Sequence, residues 1–188
     1  MQFKNRDNWF IERDDKVYWI SRSVTVLPVV LFVLSREGDR ANEMPDGKHI
    51  FVPLGKRGED LPDEVDKWGL PGGYLDWDES ATEAVIRETY EELGLNLLEI
   101  RDRCQKFQGD FDRPYCVNSE PKRKQNVTLL FALMFWVDSL PELSPKVSSG
   151  EVQEAKWFDL DTAVQSDLAF GHNNIIRTCL QQEFDYQI

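Results

Sequence analysis

Two long apolar runs constrain the fold of this chain more than any other feature. The first, Ser23 to Ser35 (SVTVLPVVLFVLS), is rich in β-branched residues and predicts a long strand, in which Pro28 would mark a bulge or an edge. The second, Val127 to Val137 (VTLLFALMFWV), is the most apolar run and lacks helix caps, so it predicts a central strand. Further strand-like runs are HIFVPLGKR, a stretch around Phe107, and EAKWFDL. This excess of strands over helices indicates a mixed sheet with a few helices packed on its faces.

The segments between these runs predict the connections. WFIER and KVYWI flank an Asp-Asp pair, which indicates an N-terminal hairpin. The segment WGLPGGYL predicts a Gly-rich turn, Asn96 to Ile100 a short strand, and about Gly171 to Glu183 a terminal helix. A long charged loop is expected from about Gly109 to Gln125. Because no long period recurs, we expect one domain over residues 1–188, with the hairpin as an extension at about 1–22.

Composition and charge exclude several classes of function. Of the 188 residues, 41% are hydrophobic and 30% charged, as in a globular domain, and no apolar stretch is long enough to span a bilayer. The net charge of -12 disfavours binding along a nucleic-acid backbone, which needs clustered Lys and Arg. Three cysteines at unrelated spacings and no signal-peptide pattern indicate free thiols in a reducing compartment. We therefore expect a cytoplasmic enzyme without nucleic-acid or membrane partners.

A capped, acidic helix follows the Gly-rich turn. Ser80 and Glu83 have the spacing of a capping box, and Gly94 stands where a left-handed residue ends a helix. At about 100° per residue, Glu88, Glu91 and Glu92 fall on one side, where Ala81 and Ala84 would leave room for a ligand. The adjoining side, which would face the core, carries Val85, Thr89, Leu93, Thr82 and Ile86. Three neighbouring carboxylates repel one another. They are therefore either a solvated face or a site for a hard divalent cation such as Mg²⁺.

The spacing around this helix resembles the signature of the Nudix family. The matching positions are Gly73, Glu79, Arg87, Glu88, Glu91, Glu92, Gly94 and Leu95, a 23-residue segment called the Nudix box. The one departure is Thr89, which stands at an aliphatic position on the core side of the helix. The resemblance continues more loosely over about residues 23 to 165. It implies an α/β (α+β) Nudix fold, in which a mixed β-sheet is sandwiched between α-helices.

The resemblance also implies roles for the box residues. Glu88 and Glu92 would ligate Mg²⁺ or Mn²⁺, with Glu91 as a further ligand or a neighbour of the ligands, and the Gly72 carbonyl would add an oxygen. Arg87 and Glu79 would form a structural ion pair. The reaction would be attack of a metal-activated water on one phosphorus of a diphosphate. Family members often carry another Glu before the late strand, which makes Glu151 and Glu154 the candidate proton acceptors, and we favour Glu151.

Substrate contacts are less sharply indicated. Arg57 could lie over the phosphates or on the surface. Arg113 and Tyr115, in the long charged loop, are expected to contact the phosphates and rings of the substrate. The run Lys122-Arg123-Lys124 in the same loop could reach a phosphate, although a solvated loop is favoured. His172 could cap the terminal helix, which we favour, or line a pocket. Trp68 and Trp77 could stack on a base, although packing is the favoured use of both tryptophans.

We expect the substrate to be a nucleoside diphosphate linked to another group, such as ADP-ribose or a nucleotide sugar. The alternatives are a nucleoside triphosphate pyrophosphohydrolase and a non-catalytic nucleotide-binding regulator. The apolar residues of the N-terminal hairpin are too many for a two-stranded ribbon to hide, so we expect a homodimer formed across it.

Overall fold

The structure is a computed structural model that describes residues 9–35, 47–120, 126–146 and 150–187, without the side chains of Trp9, Trp19 and Lys48. The strands in these ranges are β1 (Trp9–Arg13), β2 (Lys16–Ile20), β3 (Val24–Leu34), β4 (Ile50–Arg57), β5 (Trp68–Gly69), β6 (Lys106–Gly109), β7 (Cys116–Asn118), β8 (Val127–Val137) and β9 (Val152–Asp159). The helices are α1 (Ala81–Leu93), α2 (Leu97–Arg103), α3 (Leu160–Gln165) and α4 (His172–Glu183). Two short 3₁₀ turns cover Gly47–His49 and Ala169–Gly171.

The two apolar runs form the centre of the main sheet. Strands β3 and β8 pair in parallel over their whole length, from Val24 opposite Val127 to Leu34 opposite Val137. The order of the sheet is β5-β4-β3-β8-β6, with β7 also paired to β8 and β9 to β4. Every pairing in this sheet other than that of β3 with β8 is antiparallel. Strands covered on both faces read as continuous apolar runs. The predicted mixed sheet is therefore confirmed.

Helices cover both faces of this sheet because successive side chains of a strand point to opposite faces. On β3, Leu27, Val29, Leu31 and Val33 belong to a core cluster that includes residues of α3 and α4. The alternate residues Val26, Val30 and Phe32 belong to a second cluster, beneath α1. This layered arrangement confirms the predicted fold class. No helix in the described ranges is long and apolar enough to cross a membrane.

Pro28 marks no bulge, and it lies in a stretch of the central strand β3 that is paired on one side only. The register of β3 with β8 runs unbroken through Pro28 opposite Phe131. Val26 donates its N–H to the Gly73 carbonyl, on the side of β3 away from β8. Alternation along the strand puts the nitrogen of Pro28 on that same side. There the described part of β4 pairs with β3 only at Phe32 and Val33, so the missing N–H interrupts no ladder.

Three other predictions need correction. The segment from Asn96 to Ile100 begins helix α2 instead of forming a strand, because the Asn96 side chain accepts a hydrogen bond from the Glu99 N–H (3.3 Å) and so caps a helix. The predicted charged loop contains a strand, β7, which pairs with β8. Helix α3, which Asp159 caps through the Thr162 N–H (2.9 Å), lies in a segment for which no helix was predicted.

The N-terminal hairpin is present and stands apart as a two-stranded sheet. Strands β1 and β2 pair from Trp9 opposite Ile20 to Arg13 opposite Lys16. Asp14 and Asp15 both have positive φ (53° and 58°), as the tightest hairpin turns require. The exposed apolar side chains of the hairpin are Phe10 (50%), Ile11 (52%), Val17 (51%), Tyr18 (36%) and Ile20 (52%).

Candidate active site

Local interactions set the ends of helix α1 and so the direction of its carboxylates. Ser80 and Glu83 form the predicted capping box: Ser80 Oγ accepts from the Glu83 N–H (3.3 Å), and Glu83 Oε2 accepts from the Ser80 N–H (2.7 Å). Gly94 ends the helix at φ +75° and donates its N–H to the Tyr90 carbonyl (2.8 Å). Glycine adopts this left-handed conformation with less strain than residues that carry a Cβ.

The core side of α1 differs from its predicted layout in one respect. Ala84 is fully buried in the cluster beneath the helix, so it leaves no space for a ligand beside the carboxylates. Thr89 is also fully buried, and its hydroxyl donates to the Val85 carbonyl (2.7 Å). A threonine is therefore accommodated at an aliphatic position without an unsatisfied polar group.

Arg87 binds three of the glutamates. It holds Glu79 through two hydrogen bonds, Nε to Oε2 (2.9 Å) and Nη2 to Oε1 (2.6 Å), which is the ion pair expected from the sequence. Its Nη1 also donates to Glu88 Oε1 (2.8 Å) and Glu91 Oε2 (3.1 Å). Arg87 is therefore a counter-charge for the carboxylate face of α1. The hydrogen bonds from Arg87 hold the pKa of Glu79 below its usual value.

Glu88 and Glu92 are the carboxylates whose ionisation the fold opposes. Burial, with added repulsion from Glu88 and Glu151, raises the pKa of Glu92 to about 8, although Glu92 Oε2 accepts from the Gly72 N–H (3.3 Å). Burial also raises the pKa of Glu88, helped by the charges of Glu91 and Glu151 and opposed by Arg87. Glu151 therefore lies close enough to both box glutamates to repel them, and a cation placed among the three carboxylates would relieve this repulsion.

The glycine pair of the turn allows the backbone to approach these carboxylates. A Cβ at Gly73 would lie 2.8 Å from Glu88 Cδ, closer than real Cβ atoms come to other atoms. Gly72 has φ +148°, and a Cβ there would overlap the Val26 carbonyl oxygen. A side chain at Gly73 would displace the Glu88 carboxylate, whereas at Gly72 the backbone conformation and the Val26 carbonyl require glycine.

A cavity of about 390 Å³ opens beside Glu92. Arg57, Gly72, Gly73 and Glu151 share its carboxylate end, and Leu27, Leu70, Leu130 and Ile175 give it apolar surface. A row of polar residues lies in register across neighbouring strands: Asn118 on β7 opposite Thr128 on β8, Thr128 beside Thr25 on β3, and Thr25 opposite Tyr74. The whole row lines the cavity, and the two threonine hydroxyls are 3.0 Å apart.

Arg57 is the one Lys or Arg among the described residues that line this cavity. Its Nε and Nη2 donate to the Asp63 carbonyl (3.2 and 3.1 Å), and its guanidinium carbon lies 4.7 Å from the centre of the Phe170 ring. Its charge lowers the pKa of Glu92, against the larger effect of burial. Arg57 therefore lies in the cavity and not on the outer surface.

His172 does not cap the terminal helix. The N-cap of α4 is Gly171, which makes no side-chain cap, and His172 is only 7% exposed. Its Nδ1 accepts a hydrogen bond from the Leu70 N–H (2.9 Å), which ties α4 to the Gly-rich turn. Burial, and secondarily the charge of Arg57, lower its pKa to about 4, so the ring is neutral at pH 7. His172 therefore lines the cavity, and the capping interpretation is wrong.

Comparison with known proteins agrees with the pattern of the box. The sequence profile of the NUDIX domain matches residues 28–179, well over half of the chain. This protein belongs to the NUDIX family. The family assignment made from the glutamate helix is thereby confirmed, although the match begins later than the expected domain and leaves the hairpin outside it.

Individual relatives are distant. The chain is 28% identical over 100 residues to human diphosphoinositol polyphosphate phosphohydrolase 3-alpha, a match that covers 53% of this chain and 52% of that protein. The NUDIX domain of Shewanella oneidensis NrtR, solved with ADP ribose, is 22% identical with a TM-score of 0.56, over 84% of this chain and 85% of that one. A NUDIX hydrolase from Nitrosomonas europaea is 20% identical with a TM-score of 0.57, over 92% and 78%. At these identities the two structures support the Nudix fold alone.

Other candidate residues of this Nudix protein lie away from the cavity. Glu154 is exposed on β9, opposite Lys56, and does not line the cavity, whereas Glu151 does. Arg113 and Tyr115 line a separate, smaller cavity of about 230 Å³, beside Phe184. Burial raises the pKa of Tyr115 well above its usual value, and its hydroxyl has no hydrogen-bond partner of normal geometry in the described structure. Lys122, Arg123 and Lys124 fall outside the described residues.

The aromatic candidates contribute little to the cavity. Trp68 packs edge-on against Phe158 (5.1 Å), and Trp77 is 91% exposed. Tyr74, Phe170 and the polar residues of β3, β7 and β8 also line the cavity and were not predicted from the sequence. No local pattern marks them, because they meet only when strands far apart in sequence pair with one another.

The donor chemistry of the Nudix box fits Mg²⁺ or Mn²⁺, although the side chains do not converge as they stand. Within the described ranges, no group of three or more His, Cys, Asp or Glu side chains is arranged to hold a metal ion. Arg87 binds two of the box carboxylates, Glu88 and Glu91. Carboxylate oxygens are nevertheless the donors that hard cations prefer. Glu88, Glu92 and Glu151 also repel one another beside glycine backbone.

Proposed function

We propose that this protein is a Mg²⁺- or Mn²⁺-dependent hydrolase that cleaves a diphosphate bond between a nucleoside and another group. The observation that carries the proposal is the meeting of Glu92, Glu151 and Arg57 at one end of a cavity that continues past them. A buried carboxylate, Glu92, and an exposed one, Glu151, beside an arginine can serve a metal and a phosphate together. The polar and apolar walls beyond them can hold the groups on either side of the diphosphate.

In the proposed mechanism the metal ligands are Glu88, Glu92 and the Gly72 carbonyl, with Glu91 beside them. A bound divalent cation would lower the pKa of an attacking water and offset charge on the leaving phosphate. Glu151 is exposed at the rim of the cavity and is the proposed acceptor of the proton from that water.

Two arginines support this chemistry in different ways. Arg57 would donate hydrogen bonds to a phosphate oxygen from within the cavity. Arg87, held by Glu79, would keep the Gly-rich turn against α1, since it also donates to the Tyr74 carbonyl (3.1 Å).

The walls of the cavity favour a nucleoside diphosphate linked to a second group over a bare polyphosphate. Thr25, Thr128 and Asn118 offer neutral hydrogen bonds, and Leu27 and Leu130 offer apolar contact for a ring. The relative solved with ADP ribose is consistent with this choice. ADP-ribose or a nucleotide sugar is therefore the proposed substrate, with Arg113 and Tyr115 left out because they line another cavity. An intact set of box carboxylates argues against a non-catalytic regulator.

A substrate screen tests the proposal. The purified protein with Mg²⁺ is offered about twenty nucleotide-derived diphosphates and the nucleoside triphosphates, with and without excess EDTA. We expect ADP-ribose or a nucleotide sugar to be cleaved to a nucleoside monophosphate and a sugar phosphate, and no turnover in EDTA. Preferred cleavage of triphosphates would support the alternative, a nucleoside triphosphate pyrophosphohydrolase. Full activity in EDTA would refute the metal requirement.

Two pairs of variants test the assigned roles. Glu88→Gln and Glu92→Gln should each lower kcat by at least about 10²-fold, because each removes a ligand without removing core volume. Glu151→Gln should also lower kcat, whereas the matched control Glu154→Gln, three residues away and outside the cavity, should match the wild type. Equal effects at residues 151 and 154 would show that Glu151 has no special role.

We also infer the assembly and the setting. A single domain over residues 1–188 would pair with a second copy through the N-terminal hairpin, whose apolar side chains are exposed on both strands. Free thiols at Cys104, Cys116 and Cys179 suit a reducing compartment, so the cytoplasm is the proposed location. The acidic surface makes nucleic acid an unsuitable partner.

A further inference from the structure

Phe170 has a backbone conformation that is unusual for an aromatic residue. It lies at φ 53° and ψ 19°, in the left-handed helical region, and is followed there by Gly171 (φ 70°, ψ 30°). A bulky side chain is rarely found in this region, because its Cβ crowds the backbone. Such a conformation persists where surrounding contacts hold it, and often where it serves a site. A glycine at residue 170 would make the same turn without strain, so the turn alone does not account for the phenylalanine.

The ring of Phe170 contacts the cation of the cavity. It is 47% exposed, lines the cavity and lies under the Arg57 guanidinium at 4.7 Å. The His172 ring lies 5.8 Å from it, tilted by 51°. A guanidinium over an aromatic face is attracted by the negative charge of that face, and more strongly where water is excluded. Phe170 thus contacts Arg57 on a face, while the Asp63 carbonyl binds it at an edge.

Together these two contacts restrict where Arg57 can point. The bonds to Asp63 use Nε and Nη2, which leaves Nη1 without a hydrogen-bond partner among the described residues. An arginine side chain otherwise samples many rotamers and loses that freedom when it binds a ligand. A guanidinium already held in place loses less on binding, so the affinity is higher.

We propose that Phe170 is a positioning residue for Arg57, whose ring holds the guanidinium so that its open edge meets a phosphate of the diphosphate. The inference rests on the proposed function, since it takes the phosphates to bind at the carboxylate end of the cavity. It assigns Phe170 no contact with the reacting atoms. The strained backbone is retained because it places an aromatic face under the one described cation of the site.

Binding measurements test this without turnover. The probe is α,β-methylene ADP, whose bridge cannot be hydrolysed, titrated in Mg²⁺ by calorimetry. Phe170→Leu keeps an apolar side chain but removes the aromatic face, and we expect it to raise Kd about tenfold. Phe170→Tyr keeps the face and should stay within about twofold of the wild type. Phe170→Gly relieves the strained backbone, so it should fold at least as stably and still bind as weakly as Phe170→Leu.

A double-mutant cycle separates positioning from direct contact with the ligand. In an Arg57→Gln background there is no guanidinium to position, so adding Phe170→Leu should change Kd by less than about twofold. If the full tenfold loss persists there, Phe170 contacts the ligand itself and the inference is overturned. An unchanged Kd for Phe170→Leu in the otherwise wild-type protein would overturn it as well.

Turnover of the preferred substrate distinguishes this inference from the proposed function. For Phe170→Leu, KM should rise about as much as Kd, with kcat within about twofold. If the wild type cleaves diphosphates and Phe170→Leu has the same Kd and KM as the wild type, the inference alone is overturned. A wild-type protein that shows the expected binding cycle without cleaving any diphosphate would overturn the function alone. Absence of both binding and cleavage would overturn both.

Discussion

Replacing His172 by asparagine should make the stability of this protein less sensitive to acid. The asparagine side chain would keep an acceptor, its Oδ1, near the position of the Nδ1 atom that binds the Leu70 N–H (2.9 Å). It would remove the titratable ring, which the fold keeps neutral and which makes the stability depend on pH. Burial lowers the pKa of His172 to about 4, from about 6.5 in an unfolded chain.

The sign and the size follow from these two pKa values. Between pH 6.5 and 4 the unfolded chain binds a proton at His172 and the folded protein resists it, so the free energy of unfolding falls as the pH falls. A difference of 2.5 pKa units corresponds to about 3 kcal/mol in full. At pH 5 the loss relative to pH 8 should be about 2 kcal/mol. Below about pH 4 both states are protonated and the effect stops growing.

Urea unfolding at several pH values between 8 and 4.5 measures this for the wild type and His172→Asn. The comparison is essential because Glu88 and Glu92, whose pKa values are raised, change stability in the opposite sense over part of this range. Their effect is common to both proteins and cancels in the difference. We expect His172→Asn to be the less stable protein at pH 8, with a gap that narrows by about 2 kcal/mol at pH 5. Parallel curves over the whole range would refute the assignment of a buried neutral ring.

Three further predictions concern the box and the hairpin. Gly73→Ala should lower kcat sharply with little loss of secondary structure, because a Cβ would lie 2.8 Å from Glu88 Cδ. Steady-state kinetics and circular dichroism measure this, and a variant with the same kcat as the wild type would show that the turn moves freely. Glu92→Gln should unfold at higher urea than the wild type in EDTA at pH 8 while losing activity, because it removes a buried, repelled charge; a lower midpoint would contradict the burial argument. Light scattering at tens of micromolar should give a dimer mass, and Tyr18→Glu together with Ile11→Glu should give a monomer; a wild-type monomer would exclude assembly through the hairpin.

Helix α1 shows how far local sequence determines this protein. Its N-cap, capping box and C-terminal glycine all lie between residues 80 and 94, so their interactions form whenever that segment is helical. The direction of Glu88, Glu91 and Glu92 follows from helical geometry alone. The pairing of Arg87 with Glu91 is also local, at four residues apart, and was available from the sequence.

The short elements show where local reading fails. The segment after Gly94 could be a strand or a helix by its apolar residues, and the Asn96 cap decides the matter within a single turn. Strand β7 has three residues and forms because it can pair with β8. Segments this short carry too few residues for a period to be recognised.

The rest of the site is decided by tertiary structure. The hydrogen bond from Leu70 to His172 joins residues that are 102 positions apart in the sequence. The Arg57 guanidinium likewise contacts the ring of Phe170, which is distant from it in the sequence. Glu151 and Glu154 are both candidates by sequence, with Glu151 favoured, and only Glu151 lines the cavity beside Glu92. Capping and helical periodicity depend on neighbours along the chain, so the sequence alone determined the carboxylate helix and the two central strands. The cavity depends on which strands and helices meet, and that is set by the packing of the whole core.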